Sequence, residues 1–177
     1  MTRAIWCASF VTMLVVAGVG ARGMTAEGAE TRQALQGGAS SKEELVQRLL
    51  TALEKKDLDA LQRLRVTESE YKDVIIAGTV PAGEPLRALR PEVTDYAWKT
   101  LNTKSLYYER YLLHELGGKH YELQDMTFAK GVTDYATYRA YRQLRLAVTS
   151  DGSPAELATG SIAAVRGRYK FISFIRD

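Results

Sequence analysis

The sequence is poor in the residue types that most often carry chemistry. Among its 177 residues there are two histidines and one cysteine, Cys7. His114 and Glu115 begin an H-E-x-x-H zinc motif, but Gly118 occupies the position where the second imidazole would lie one helical turn further on. The sequence has no G-x-S-x-G nucleophile elbow and no phosphate-binding loop. These absences predict a chain without a metal site and without a cofactor.

Long runs of like charge are absent as well. The formal net charge is only +3, and basic and acidic residues are interspersed along the chain. No block of five or six like charges appears, so nucleic acid is not expected as a partner. With 46% apolar and 25% charged residues, the composition is that of a globular protein.

The one long apolar, uncharged run lies at the amino terminus. Arg3 precedes an apolar run over residues 5–20, and small residues follow it. This order is typical of a secretory signal peptide, and the run is short for a membrane span of about 20 residues. We predict a signal peptide over residues 1–21, with Ala21 and Ala26 as the two alternative cleavage positions. The protein should therefore be exported, periplasmic or secreted, and meet a membrane only through an uncleaved signal segment.

Cleavage would also remove Cys7, the only cysteine. The mature chain is then expected to contain no thiol, no disulfide and no cysteine-based zinc site. Residues 22–39 contain four glycines and predict a flexible linker. A single folded domain is expected over residues 40–177, since about 140 residues are enough to build a core without disulfides.

Helix signals come first in that domain. Residues 41–44 and 67–70 both have the sequence of a capping box, and Asp57 can cap a short helix between them. A loop with three prolines follows over residues 78–91. A long helix is predicted from about residue 92 or 94 to Leu116, where two glycines end it.

Strand signals follow the long helix. The predicted strands cover residues 119–130, 136–149, 157–165 and 168–176, and turn residues separate them. The last two form a hairpin in which the two phenylalanines and two isoleucines of residues 171–175 supply core. Helices first and a four-stranded meander afterwards predict an α+β domain.

Three features together resemble a known superfamily: a long helix carrying Tyr96 and Trp98, a Gly-Gly break, and residues 160–162 leading to 167–171. This order is similar to the nuclear transport factor 2-like superfamily, also called ketosteroid isomerase-like or cystatin-like cone. More narrowly, it resembles uncharacterised exported bacterial proteins of that shape. The resemblance implies N-terminal helices and one long helix packed in a strongly curved antiparallel four-stranded sheet, a cone. The superfamily hosts isomerases, dehydratases, polyketide cyclases and inactive binding modules, so the fold alone does not give the function.

Tyrosine is concentrated in one region, since seven of the ten tyrosines lie between residues 107 and 141. They either line a pocket for a small apolar or aromatic ligand or pack at the mouth of the cone, with their hydroxyls in water. The first interpretation gives five candidate ligand-binding residues: Tyr107, Tyr111, His114, Asp125 and Tyr141. In a ketosteroid isomerase-type enzyme, Asp125 would be the base, with Tyr107, Tyr111 or Tyr141 as oxyanion donors and His114 nearby.

Three functions follow from these patterns. The first is an exported, non-catalytic small-ligand-binding or structural module of the bacterial cell envelope. The second is a cofactor-free isomerase or lyase of the ketosteroid isomerase or polyketide cyclase type. The third is a homodimeric protein-interaction module that uses the outer sheet face. A deep pocket holding a buried carboxylate or histidine with a shifted pKa would favour the enzyme.

Overall fold

The computed structural model describes residues 35–176. The predicted signal peptide and residues 22–34 of the predicted linker lie outside this range and stay predictions. Within the described residues, no helix combines the length and the apolar character that a membrane crossing needs.

The fold begins earlier than the sequence suggested. Leu35 is buried, and Ala39 forms an antiparallel bridge with Tyr169 through two backbone hydrogen bonds. Gly37 has a φ of 68°, which allows the chain to turn between these two contacts. Residues 35–39 therefore belong to the domain, and the prediction of a linker as far as residue 39 is wrong for them. The glycine-rich composition of this segment gave no local signal that Leu35 is part of the core.

Residues 35–176 contain four α-helices. Helix α1 covers Lys42–Glu54, α2 Leu58–Arg63, α3 Glu68–Glu70 and α4 Pro91–Leu116, and α3 continues into a π-helical turn over Tyr71–Ile76.

The predicted helix starts are confirmed. The Glu44 amide donates to the Ser41 hydroxyl at 3.0 Å, and the Ala60 amide donates to the Asp57 carboxylate at 2.8 Å. The capping box that opens α3 is complete, with both of its hydrogen bonds formed. These helix starts depend on residues three positions apart, which is why they can be read locally.

Seven strands form two antiparallel sheets in the described part of the chain. They are β1 (Tyr121–Phe128), β2 (Val132–Asp134), β3 (Arg139–Tyr141), β4 (Leu144–Ser150), β5 (Ser153–Ala158), β6 (Ile162–Val165) and β7 (Arg168–Phe171). One sheet has the order β1-β4-β5 and the other the order β2-β3-β6-β7. The α+β class is confirmed. Seven strands are found where four were predicted, because two predicted strands each divide in two and β2 forms where turn residues were expected.

Two of the predicted strands are interrupted. The strand over residues 136–149 divides at Gln143, whose φ of 55° lies in the left-handed region and breaks the ladder. The strand over residues 157–165 divides at Gly160, where a Cβ atom would clash with the carbonyl oxygen of Ser173. Each of these two predicted strands thus contributes one segment to each sheet.

The main core lies between α1 and the two sheets. Six apolar residues of α1 are buried in this core: Leu45, Val46, Leu49, Leu50, Ala52 and Leu53. Phe171 and Phe174 are fully buried with ring centroids 4.8 Å apart, so their predicted core role is confirmed.

Helix α4 packs mainly against α1, α2 and the π-helical turn. Its buried residues are Ser105, Glu109 and Leu112, whereas Val93 near its start is 41% exposed. The long helix therefore buries two polar side chains beside the apolar Leu112. Glu109 can be buried because it pairs with an arginine on the segment that follows α2.

Candidate functional site: the Arg65 groove

A groove of about 1170 Å³ lies between α1, α2 and α4. We call it the Arg65 groove. Its floor includes residues 64–66, and its α4 wall contains Trp98, Asn102 and Leu106. Helices α1 and α2 form the opposite wall.

The backbone around Arg65 is held by the last strand. The segment after α2 is extended beside β7, where the Val66 amide donates to the Phe171 carbonyl and the Phe171 amide donates to the Leu64 carbonyl, each at 2.9 Å. Neighbouring side chains of an extended segment point to opposite sides. Leu64 and Val66 belong to the buried cores, and Arg65 extends toward α4.

Arg65 forms an ion pair with Glu109 in the interior. Its Nη1 lies 2.6 Å from Glu109 Oε1, and the two side chains are 4% and 0% exposed. The second terminal nitrogen, Nη2, donates to Asn102 Oδ1 at 3.2 Å. Asn102 and Glu109 are seven residues apart, two helical turns, so both lie on the face of α4 that meets Arg65.

Three buried polar atoms of this cluster have no hydrogen-bond partner among residues 35–176. They are Arg65 Nε, Glu109 Oε2 and Ser105 Oγ. Buried polar groups in folded proteins are almost always hydrogen-bonded, because an unmade bond leaves the cost of desolvation uncompensated. The cluster therefore has unused capacity for a bound polar group.

An aromatic wall adjoins the guanidinium. The ring centroid of Trp98 lies 6.0 Å from Arg65 Cζ and 5.6 Å from the ring of Tyr71. Burial raises the pKa of the Tyr71 phenol. Trp98 thus offers an indole ring beside a buried cation.

A second buried ion pair lies at the other side of the groove floor. Lys170 Nζ, which lines the groove, contacts Glu70 Oε1 at 3.1 Å and Oε2 at 2.9 Å. The same carboxylate accepts from the backbone N–H of Gln36 at 2.6 Å and from the backbone N–H of Thr67 at 2.7 Å. Glu70 is saturated with donors, and this pair joins the amino-terminal segment, α3 and β7. We assign it a structural role.

The charges around the groove nearly cancel. Five basic side chains and three acidic ones line it: Arg48, Lys55, Arg63, Arg65, Lys170, Glu44, Asp57 and Asp59. Behind the wall, Glu109 and Glu70 compensate two of the cations. The groove therefore has no large surplus of either sign.

The chain matches no protein-family model, no curated protein and no solved structure. Its function is therefore inferred from the side chains of the groove.

The tyrosines and the histidine predicted on α4 lie on its outer face. Tyr107 is 70% exposed, and it and Tyr111 each make an edge contact with Tyr108, at 5.9 and 6.2 Å between ring centroids. The side chain of His114 is 84% exposed, with Nδ1 2.8 Å from a Glu115 carboxylate oxygen. None of the three candidates lines the Arg65 groove.

The other two candidates lie on the sheets. Asp125 is exposed on the face of β1 opposite to that of Met126 and Phe128. Tyr141 is half-buried, 5.1 Å from the ring of Phe128, with Lys42 Nζ 5.0 Å from its centroid. The base and the oxyanion donors of the isomerase hypothesis are thus not brought together. A ligand-binding role for the individual residues stays a prediction.

Sequence reasoning missed the residues that form the groove. One signal was present: Trp98, Asn102, Ser105, Glu109 and Leu112 follow helical spacing on one face. Polar residues between a tryptophan and a leucine on one helical face indicate a buried polar contact. Nothing local identifies its partner, because Arg65 is 44 residues away from Glu109.

Proposed function

We propose that this chain is an exported, non-catalytic small-ligand-binding module and that the Arg65 groove is its binding site. One observation carries this proposal. A guanidinium that is almost fully buried, with an unpartnered Nε among the described residues, lies in the wall of an open groove beside an indole ring. Ligand sites combine apolar and aromatic surface with a few such convergent polar groups.

The size of the groove supports a small molecule. Its volume of about 1170 Å³ exceeds the roughly 300–1,000 Å³ of a typical pocket for a drug-sized ligand, so such a ligand fits within it. Trp98 and Leu106 supply apolar surface, and Asn102 supplies a polar contact beside Arg65. A ring-bearing compound suits this combination.

The geometry favours binding over catalysis. Glu109 is the buried carboxylate nearest to the groove, but it is fully buried behind Arg65 and is not part of the groove lining. A general base must come within about 3 Å of the proton that it removes. Of the three carboxylates that do line the groove, Glu44 is bonded to Arg48 and Asp57 accepts from the Ala60 amide. A substrate beside Trp98 would meet the guanidinium first, so the geometry favours binding over the isomerase or lyase alternative.

We further infer that the two sheets are parts of one curved wall, as in the nuclear transport factor 2-like cone. Two backbone hydrogen bonds of 3.0 Å support this: the Leu144 amide donates to the Gly160 carbonyl, and the Thr159 amide donates to the Leu144 carbonyl. They continue the β4–β5 pairing toward the β3–β6 pairing across the break. A bent hairpin that passes from one sheet to the other is how antiparallel sheets turn corners.

The binding proposal is tested by screening small aromatic and apolar compounds against the purified exported protein, using ligand-observed NMR. Trp98→Leu should abolish the binding of any hit, whereas Tyr107→Leu should not, because Tyr107 lies on the outer face of the same helix. Loss of binding in the Tyr107 variant alone would move the site to the exposed tyrosines. The intact mass of that protein tests export, since a chain that still contains Cys7 would contradict cleavage.

A further inference from the structure

We infer that the ligand of the Arg65 groove is an aromatic carboxylate whose carboxylate accepts from Arg65 and Asn102 while its ring packs on Trp98. This inference rests on the proposed function and specifies the ligand's chemical class.

The polar groups at the groove floor are donors. Arg65 Nη1 is engaged by Glu109, and Nη2 by Asn102 Oδ1, which leaves Nε–H without an acceptor in the described structure. Because Asn102 directs its oxygen at Arg65, the hydrogen-bonding direction leaves its Nδ2 as a donor. An acceptor group would complete the hydrogen bonds of these two donors, and a carboxylate forms the stronger, charge-assisted bonds.

The charge of the site limits the ligand to at most one negative charge. Glu109 already opposes Arg65, and Glu70 already opposes Lys170. A phosphate dianion would therefore meet too little uncompensated positive charge, and a purely apolar compound would leave Arg65 Nε unsatisfied. A single carboxylate supplies the missing acceptor and adds only one negative charge.

The position of Trp98 selects a ring attached close to that carboxylate. The indole centroid lies 6.0 Å from the guanidinium carbon, so a group held on Arg65 is next to the indole face or edge. Tyr71 contacts the indole at 5.6 Å and helps to fix its orientation. An aromatic ring bonded directly to the carboxylate fills this space, whereas a long flexible acid would place its apolar part elsewhere.

The test compares 2-naphthoate with 2-naphthamide, which has nearly the same shape but no charge, by titration calorimetry on the purified exported protein. We expect 2-naphthoate to bind at least about 10-fold more tightly, because hydrogen bonds to charged groups are the stronger ones. Asn102→Ala should weaken 2-naphthoate about 10-fold and leave 2-naphthamide unchanged, whereas Trp98→Leu should weaken both. Gln124→Ala, an exposed amide on β1 bonded to Thr149, is the matched control and should change neither.

Arg65 itself is not substituted in this test, since loss of its ion pair would perturb the fold. Equal affinities for the acid and the amide, with both lost in Trp98→Leu, would overturn the carboxylate inference and leave the binding function standing. Binding of 2-naphthoate that is insensitive to both α4 variants would place it outside the groove and overturn the inference. Absence of binding of both probes at millimolar concentration would also overturn it, and the general screen then decides the proposed function separately.

Discussion

Replacing Glu109 by glutamine should remove a large part of the stability of this domain. Glutamine keeps the shape of the side chain and an oxygen that can accept from Arg65 Nη1, but it removes the negative charge. Arg65, 4% exposed, would then be a buried cation without a counter-ion. Breaking a buried ion pair from one side costs about 3–5 kcal/mol, out of roughly 5–15 kcal/mol for a whole domain.

Two experiments followed by circular dichroism measure this loss: denaturant unfolding gives the change in free energy, and thermal unfolding gives the change in melting temperature. For a domain of this size each kcal/mol lowers the melting temperature by about 4 °C, so a fall of roughly 12–20 °C is expected. Glu115→Gln is the matched control on the same helix. Its carboxylate is half-exposed and contacts the exposed His114, so its loss should cost less than about 1 kcal/mol.

The reasoning fails if Glu109→Gln unfolds within about 1 kcal/mol of the parent protein. Such a result would mean that the pair contributes no more to stability than a solvent-screened surface pair does. A loss equal to that of Glu115→Gln would lead to the same conclusion.

Three further predictions concern other parts of the molecule. The Glu54 carboxylate raises the pKa of His120, so protonated His120 stabilises the fold, and this contribution is lost as pH rises through the folded-state pKa. His120→Gln should therefore flatten the fall in stability that begins above about pH 6.5 in urea titrations, and an unchanged slope would contradict the assignment. Gly160→Ala should lower stability by about 1–3 kcal/mol, because the new methyl group meets the Ser173 carbonyl; a melting temperature equal to that of the parent would refute this. Deleting residues 171–177 removes two fully buried phenylalanines worth about 3–5 kcal/mol each, so no cooperative thermal melt should remain.

The features that the sequence predicted well are those set by neighbouring residues. The hydroxyls of Ser41 and Thr67 accept the amides three residues on, and Gly117 follows the last residue of α4. Turn residues likewise separate the strand-rich segments where expected, at Asp151 and Gly152 for example. Each of these signals has its cause within four residues, so no knowledge of the tertiary fold is needed to interpret it.

The features that were missed depend on contacts between distant segments. Leu35 is buried by residues far along the chain, and Gln143 adopts its left-handed conformation at a break between two sheets. The concentration of tyrosines was real, but a count does not say which side of α4 each ring occupies. Tyr107 lies two residues from both of the buried side chains Ser105 and Glu109, and Tyr111 lies two residues from Glu109. Two residues are about 200° around a helix, so both tyrosines face outward.

Substituting both residues of the Arg65–Glu109 pair can distinguish a role in folding from a role in binding. A buried ion pair replaced as a whole by apolar residues of similar volume is often neutral or stabilising, since both desolvation costs vanish together. Arg65→Met combined with Glu109→Leu should therefore recover most of the stability that Glu109→Gln loses. If the groove binds carboxylates through Arg65, this double variant should fold with a cooperative melt and still fail to bind 2-naphthoate. A stable double variant that binds the probe as tightly as the parent would show that the pair serves packing alone, whereas a double variant less stable than Glu109→Gln would show that the guanidinium is needed for the fold itself.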